Sequence, residues 1–107
     1  MNRPLHAVLF CRSNRGSVSG LQAQEDRCRR KATEAGATDI VTIVDDQGGP
    51  ADMGRPAIAE LRKLIDSGSI DLVVVESSDR LTRRIFDLRE LMRDVSRAGA
   101  RLMFVSP

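Results

Sequence analysis

Four apolar runs separated by segments of helical period leave this chain little choice of fold. "LHAVLFC" (Leu5 to Cys11), "IVTIV" (Ile40 to Val44), "IDLVVVE" (Ile70 to Glu76) and "RLMFV" (Arg101 to Val105) are each the length of a strand. The first and third are too continuously apolar for a sheet with one wet face, so they predict strands buried on both sides. A helix is expected from Gly20 to Ala35, opened by Ser19 with Gln22 three residues on, a capping-box spacing, and closed by Gly36. Its Leu21, Cys28, Ala32 and Ala35 fall roughly on one face.

The stretch "DDQGGPADMGRP" is a loop by its Gly and Pro content, and its final Pro56 suits the first turn of a second helix. Ile58, Leu61, Leu64 and Ile65 give that helix an apolar stripe, which Gly68 ends. After "SSDRLTRR" the spacing of Leu81, Ile85, Leu88, Met92 and Val95 predicts a third helix, stopped by Gly99, with Phe86 and Leu91 outside the stripe. The order βαβαβαβ calls for an α/β domain of three layers, a mainly parallel four-stranded sheet with helices on both faces. Residues 1–107 are expected to form one such domain.

In such sheets ligands bind beyond the carboxyl ends of the strands, near the point where strand order reverses. The first strand end offers Arg12, Ser13 and Asn14, and the second offers Asp45, Asp46 and then Arg55. The third offers Asp79, Arg80, Arg83 and Arg84. If the first and third strands are neighbours, Arg12, Arg80 and Arg83 can converge. Three guanidiniums in one place repel unless they share an anion, and a phosphate is the natural guest, with Asp79 placed to orient one of them. The plainer alternative is a set of solvated helix-end arginines paired with Asp79 and Glu76.

Composition removes several other functions. There are three Phe and no Trp or Tyr, which argues against an aromatic base-stacking surface. The formal net charge is only +2, so no global basic field advertises nucleic acid. The apolar runs are far too short to span a bilayer, and no signal-peptide pattern opens the chain. Cys11 and Cys28 lack metal-ligand spacing and read as buried free thiols, which points to a reducing cytoplasm. His6 lies early in the first strand and reads as a packed histidine rather than a base.

Taken in order, "FCRSN", "LQAQ", "GRPAIAELRKLIDSGSIDLVVVESSDRLTRR" and the amphipathic helix that follows resemble the catalytic domain of serine recombinases, the resolvase/invertase family. The resemblance covers nearly the whole chain. "DRLTRR" after a Val-rich strand is similar to the family's Asp-Arg-Leu-x-Arg. "GRPAI" resembles its Asp-Arg-Pro-Gly element, and "FCRSN" its Tyr-x-Arg-x-Ser. The resemblance implies DNA recombination or integration by strand exchange through a 5′-phosphoserine, with neither metal nor cofactor. Arginines would stabilise the pentacoordinate transition state. Carried over by position, Arg12, Arg80 and Arg83 match the phosphate-clamping arginines, Asp79 the aspartate of that cluster, and Arg55 the arginine after the mobile loop.

Two departures stand out. Strand alternation puts Phe10, Arg12 and Asn14 on one face, so the family's tyrosine is Phe10 and its nucleophilic serine is Asn14. Where the family often has a Ser-Gly pair in the second loop, "QGGPAD" puts Gly49 and Pro50. Ser13 carries a hydroxyl but should face the other way, and Ser17 lies in the loop, while Ser19 is expected to be a cap. The expectation is a domain that keeps scaffold and anion site but does not cleave DNA, since a missing nucleophile costs about a millionfold in rate.

Three alternatives remain open. One is an active fragment using Ser13, and another is a non-catalytic regulatory partner of recombinase subunits, docking through apolar residues such as Phe86 and Leu91. The third is a receiver-like module binding Mg²⁺ through Asp45, Asp46 and Asp79, although no glycine-rich phosphate fingerprint follows the first strand. With no C-terminal DNA-binding domain expected in these 107 residues, contact with DNA should run weakly through phosphates, in a homo-oligomer or beside recombinase subunits. No membrane association is expected.

Overall fold

Strand β1 (Leu5–Arg12) is sealed on both faces, and its alternation divides the core in two. In the computed structural model, which describes residues 4–13, 18–45 and 55–106, Ala7, Leu9 and Cys11 pack with Cys28 and Ala32 of α1 (Val18–Glu34). Val8 and Phe10 point the other way, into a larger cluster with Ile58, Leu61 and Ile65 of α2 (Pro56–Asp66) and Leu91 and Val95 of α3 (Ile85–Arg97). β2 (Ala37–Asp45), β3 (Leu72–Val75) and β4 (Arg101–Phe104) complete a four-stranded sheet of order β2-β1-β3-β4. Every pairing is parallel. The chain is thus the three-layer α/β domain that its pattern predicts. One helix covers one face and two cover the other.

From β1 the chain crosses to one neighbour, β2, and from β3 it crosses the opposite way to β4. Order therefore reverses between β1 and β3, and their carboxyl ends flank the crevice where such sheets take ligands.

Several boundaries depart from the sequence pattern. Helix α1 starts at Val18, so Ser19 has helical backbone and lies in the first turn rather than at the cap. Gly36 closes it as expected, at a φ of 99° that a side chain would strain; a Cβ there would also stand 3.3 Å from Leu5. β2 is longer than its apolar run, beginning at Ala37 and ending at Asp45, because each residue from His6 to Arg12 holds a partner on it. As an edge strand it leaves Val41 and Val44 about half exposed.

The third helix holds the largest correction. A short 3₁₀ turn, Ser78–Arg80, intervenes after β3, and Leu81 is buried beyond that turn, ahead of the helix. The buried stripe of α3 runs through Leu88, Leu91 and Val95, so Leu91 is fully buried while Ile85 and Met92 are exposed. Both sets have helical spacing and share Leu88 and Val95. The break at residues 81–84 rotates the helix so that the other set faces the sheet. Phe86 is exposed, as expected.

His6 is likewise not packed away. Its side chain is 43% exposed and its Nδ1 lies 3.2 Å from Asp39 Oδ2 at the amino end of the sheet, remote from the switch-point crevice. Cys11 and Cys28 are both buried and free. Among the described residues no helix is long and apolar enough to cross a membrane.

Candidate anion-binding site

Arg12 is the last residue of β1, and alternation puts its side chain on the side of Phe10, facing α2 and α3. Its backbone N–H and carbonyl are both engaged by one side chain. The Arg12 N–H donates to Gln24 Oε1 at 2.8 Å, and Gln24 Nε2 donates back to the Arg12 carbonyl at 3.0 Å. Gln24 is itself buried on α1, one turn before Cys28. A polar residue on the buried stripe of a helix is a signal the sequence carries, and sequence reasoning passed over it.

Register sets the first counter-charge. Arg12 pairs with Asp45 on β2, and the amide of Ser13 donates to the Asp45 carbonyl at 3.0 Å. The Asp45 carboxylate lies 2.6 Å from Arg55 Nε and 3.9 Å from Arg12 Nε, and all three side chains are under a tenth exposed. Arg55, immediately before α2, also reaches across to the turn after β3. Its Nη2 donates to the Leu81 carbonyl at 2.8 Å. Asp45 is therefore a buried counter-ion in a strand, not a turn residue.

Arg80 arrives from the 3₁₀ turn and donates from Nη1 to the Arg12 carbonyl at 3.2 Å. Its own counter-charge is Glu76, with Nη2 and Oε2 3.7 Å apart. Burial holds the Arg12 guanidinium below the usual arginine value; Arg55 lowers it further, Asp45 opposes this, and Arg83 and Arg80 add to the lowering. Arg12, Arg55, Arg80 and Arg83 thus share one electrostatic neighbourhood, as β1–β3 adjacency requires. Among the described residues, Asp45 and Glu76 are the carboxylates that lie against these guanidiniums.

Asp79 and Arg84 stand apart from the buried cluster. Asp79 is exposed and accepts a short hydrogen bond from the Ser77 hydroxyl. Among the described residues, the acids that reach the arginines are Asp45 and Glu76. Arg84 is exposed and precedes α3, its N–H donating to Thr82 Oγ1 at 3.1 Å. Ser13 is buried, and its hydroxyl has no hydrogen-bond partner among the described residues; strand alternation assigns it to the side of Cys11. Asn14, Ser17, Asp46, Gly49 and Pro50 lie outside the described residues. A shallow cleft of about 300 Å³ borders the cluster, lined by Asp79, Arg83, Arg84 and Ile85 among others. Among the described residues no group of three or more His, Cys, Asp or Glu could hold a metal ion.

Comparison with known proteins agrees with this architecture. Residues 7–107 match the family model described as "Resolvase, N terminal domain". The Tn501 resolvase of Pseudomonas aeruginosa and the Tn1721 resolvase of Escherichia coli are each 34% identical over 68 residues, 64% of this chain and 36% of theirs. The match thus takes in about a third of the length of those resolvases.

Among solved structures, the C-terminal catalytic domain of ISC1926 TnpA, an IS607-like serine recombinase, superposes with a TM-score of 0.82 at 26% identity. That match covers 96% of this chain and 71% of the other. The N-terminal catalytic domain of TP901-1 integrase gives 0.74 at 25%, covering 94% of this chain and 76% of that one. A match spanning nearly the whole domain, on a sheet whose crevice gathers arginines from both central strands, makes this chain a member of the resolvase N-terminal domain family, the catalytic domain of serine recombinases.

Proposed function

We propose that this domain grips a backbone phosphate of DNA with Arg12, Arg80 and Arg83, braced by Arg55 and bordered by Arg84, and that it does not cleave the strand. The observation that carries the reading is the shared field of four guanidiniums at the switch-point crevice, which lowers the Arg12 guanidinium. Like charges crowd there at a cost that a bound phosphate removes, and an arginine fork matches phosphate geometry. Relatives named as transposon resolvases and serine recombinases support DNA as the source of that phosphate.

The absence of cleavage rests on Asn14. A carboxamide cannot become a phosphoester, and the loss of one donor from a cluster, roughly a hundred- to a thousandfold, is small beside the loss of the attacking atom. Ser13 is the nearest hydroxyl in sequence, and its burial on the side away from Arg12 counts against recruitment. The reading is tested by incubating the protein with duplex DNA under conditions where an active relative forms a covalent adduct. No adduct is expected, and a phosphoserine mapped to Ser13 would overturn the assignment. A second reading, docking onto recombinase subunits or a second copy of the chain, is favoured by Ile85 and Phe86, both 69% exposed at the start of α3 beside the same crevice.

A further inference from the structure

Glu76 stands directly after β3 and serves two arginines with two different oxygens. Its Oε1 accepts from Arg27 Nε of α1 at 2.7 Å, with Arg27 Nη2 closing on the same atom. Its Oε2 faces Arg80 Nη2 at 3.7 Å, too long for a hydrogen bond, and is buried without a hydrogen-bond partner among the described residues. The carboxylate is 14% exposed, Arg80 is 21% exposed and Arg27 is 45% exposed. A helix-surface arginine on one face of the sheet is therefore wired, through one carboxylate, to a guanidinium of the anion site.

We propose that Glu76 is a positioning residue that competes with phosphate for Arg80, and that Arg27 sets how strongly it competes. Arg27 draws the carboxylate towards α1 and leaves Arg80 only the distant oxygen, so Arg80 is held in place yet free to turn to an incoming anion. Without Arg27, both Glu76 oxygens become available to Arg80 and the internal carboxylate takes the phosphate's place. Without the charge on Glu76, Arg80 loses its acidic rival for phosphate among the described residues. This inference rests on the reading of the crevice as a phosphate site, and it concerns control of that site from the opposite face of the sheet.

The test is a titration with inorganic phosphate at low salt, followed through the side-chain Nε–H resonances of the arginines by NMR. Glu76→Gln is expected to tighten binding and Arg27→Gln to weaken it, each by roughly two- to fivefold, the range of partly exposed ion pairs. Simple through-space charge would give the same two signs, so the decisive measurement is the double variant. In the Glu76→Gln background, Arg27→Gln should have no further effect, because its only route to Arg80 is gone. Additive effects, or weaker binding by Glu76→Gln in a protein whose spectrum is otherwise native, would overturn the proposal. Arg80→Gln separates the two levels. If it abolishes phosphate binding while the other effects are additive, the site reading stands and the control by Glu76 fails. If phosphate binding is indifferent to Arg80→Gln, both fail together.

Discussion

Burying a guanidinium without a counter-charge is costly, and Arg12 and Arg55 are both nearly sealed from solvent. Asp45 is the carboxylate between them. Replacing it with Asn keeps the volume and removes the charge that both guanidiniums face. Asp45→Asn is expected to lower stability by about 3 kcal/mol, the scale on which breaking a buried ion pair destabilises a protein, measured as a shift of the urea midpoint. Added phosphate should recover more stability in this variant than in the parent, because the anion then supplies the charge Asp45 gave. A loss equal to that of an exposed Asp79→Asn control would show that Asp45 does not neutralise the pair. The sequence contains Asp45 and Asp46 side by side, and nothing in the string says that strand pairing continues to the first of them. Only the register with Arg12 does.

At the scale of elements, the two faces of β1 meet different problems. On the α1 side, Cys11 and Cys28 touch, and their hydrogen bond, followed by burial, pushes the Cys11 thiol well up from its ordinary 9.0. A proton held tightly in the folded state but released in the unfolded one stabilises below the unfolded value and ceases to do so above it. The same hydrogen bond lowers Cys28, so it is the Cys11 share of the stability that is lost as pH rises past about 9. Cys11→Ala removes both shifts and should change the pH profile of stability around and above that value; identical profiles in both proteins would refute the coupling.

On the other face, Leu91→Ala is expected to cost about 2–5 kcal/mol by emptying a fully buried site. Phe86→Ala, on the exposed side of the same helix, should stay within about 0.5 kcal/mol. Chemical denaturation of the two variants checks both. The sequence periodicity predicts the opposite fate for Leu91. Two apolar sets on α3 share Leu88 and Val95, and period alone cannot choose between them when the break before the helix resets its phase. By contrast, β1 and β3 were legible because a run apolar at every position fits only a strand covered twice. The convergence of Arg12, Arg80 and Arg83 was legible once those strands were taken as neighbours. Gln24 and Arg27 were not, since their partners, Arg12 on β1 and Glu76 just after β3, are joined to α1 by no local pattern.

At the scale of the molecule, a net charge of +2 conceals a local concentration of arginine among the described residues. The amino end of the sheet carries Asp39 and Asp71 around His6, whereas the carboxyl end gathers Arg12, Arg55, Arg80 and Arg83. A weak average field and a strong local one predict different salt behaviour. Binding that senses only the average responds to every charge alike, but a cluster gripping one backbone phosphate should contribute roughly −1 to the slope when the logarithm of affinity for a duplex of arbitrary sequence is plotted against that of salt concentration. Arg80→Gln, which loosens that grip, should flatten the slope. Arg101→Gln, an exposed arginine at the amino end of β4, should leave it unchanged while altering net charge by the same amount. Equal effects from the two substitutions would mean that DNA senses only the total charge, and the crevice would lose its claim to be the binding edge.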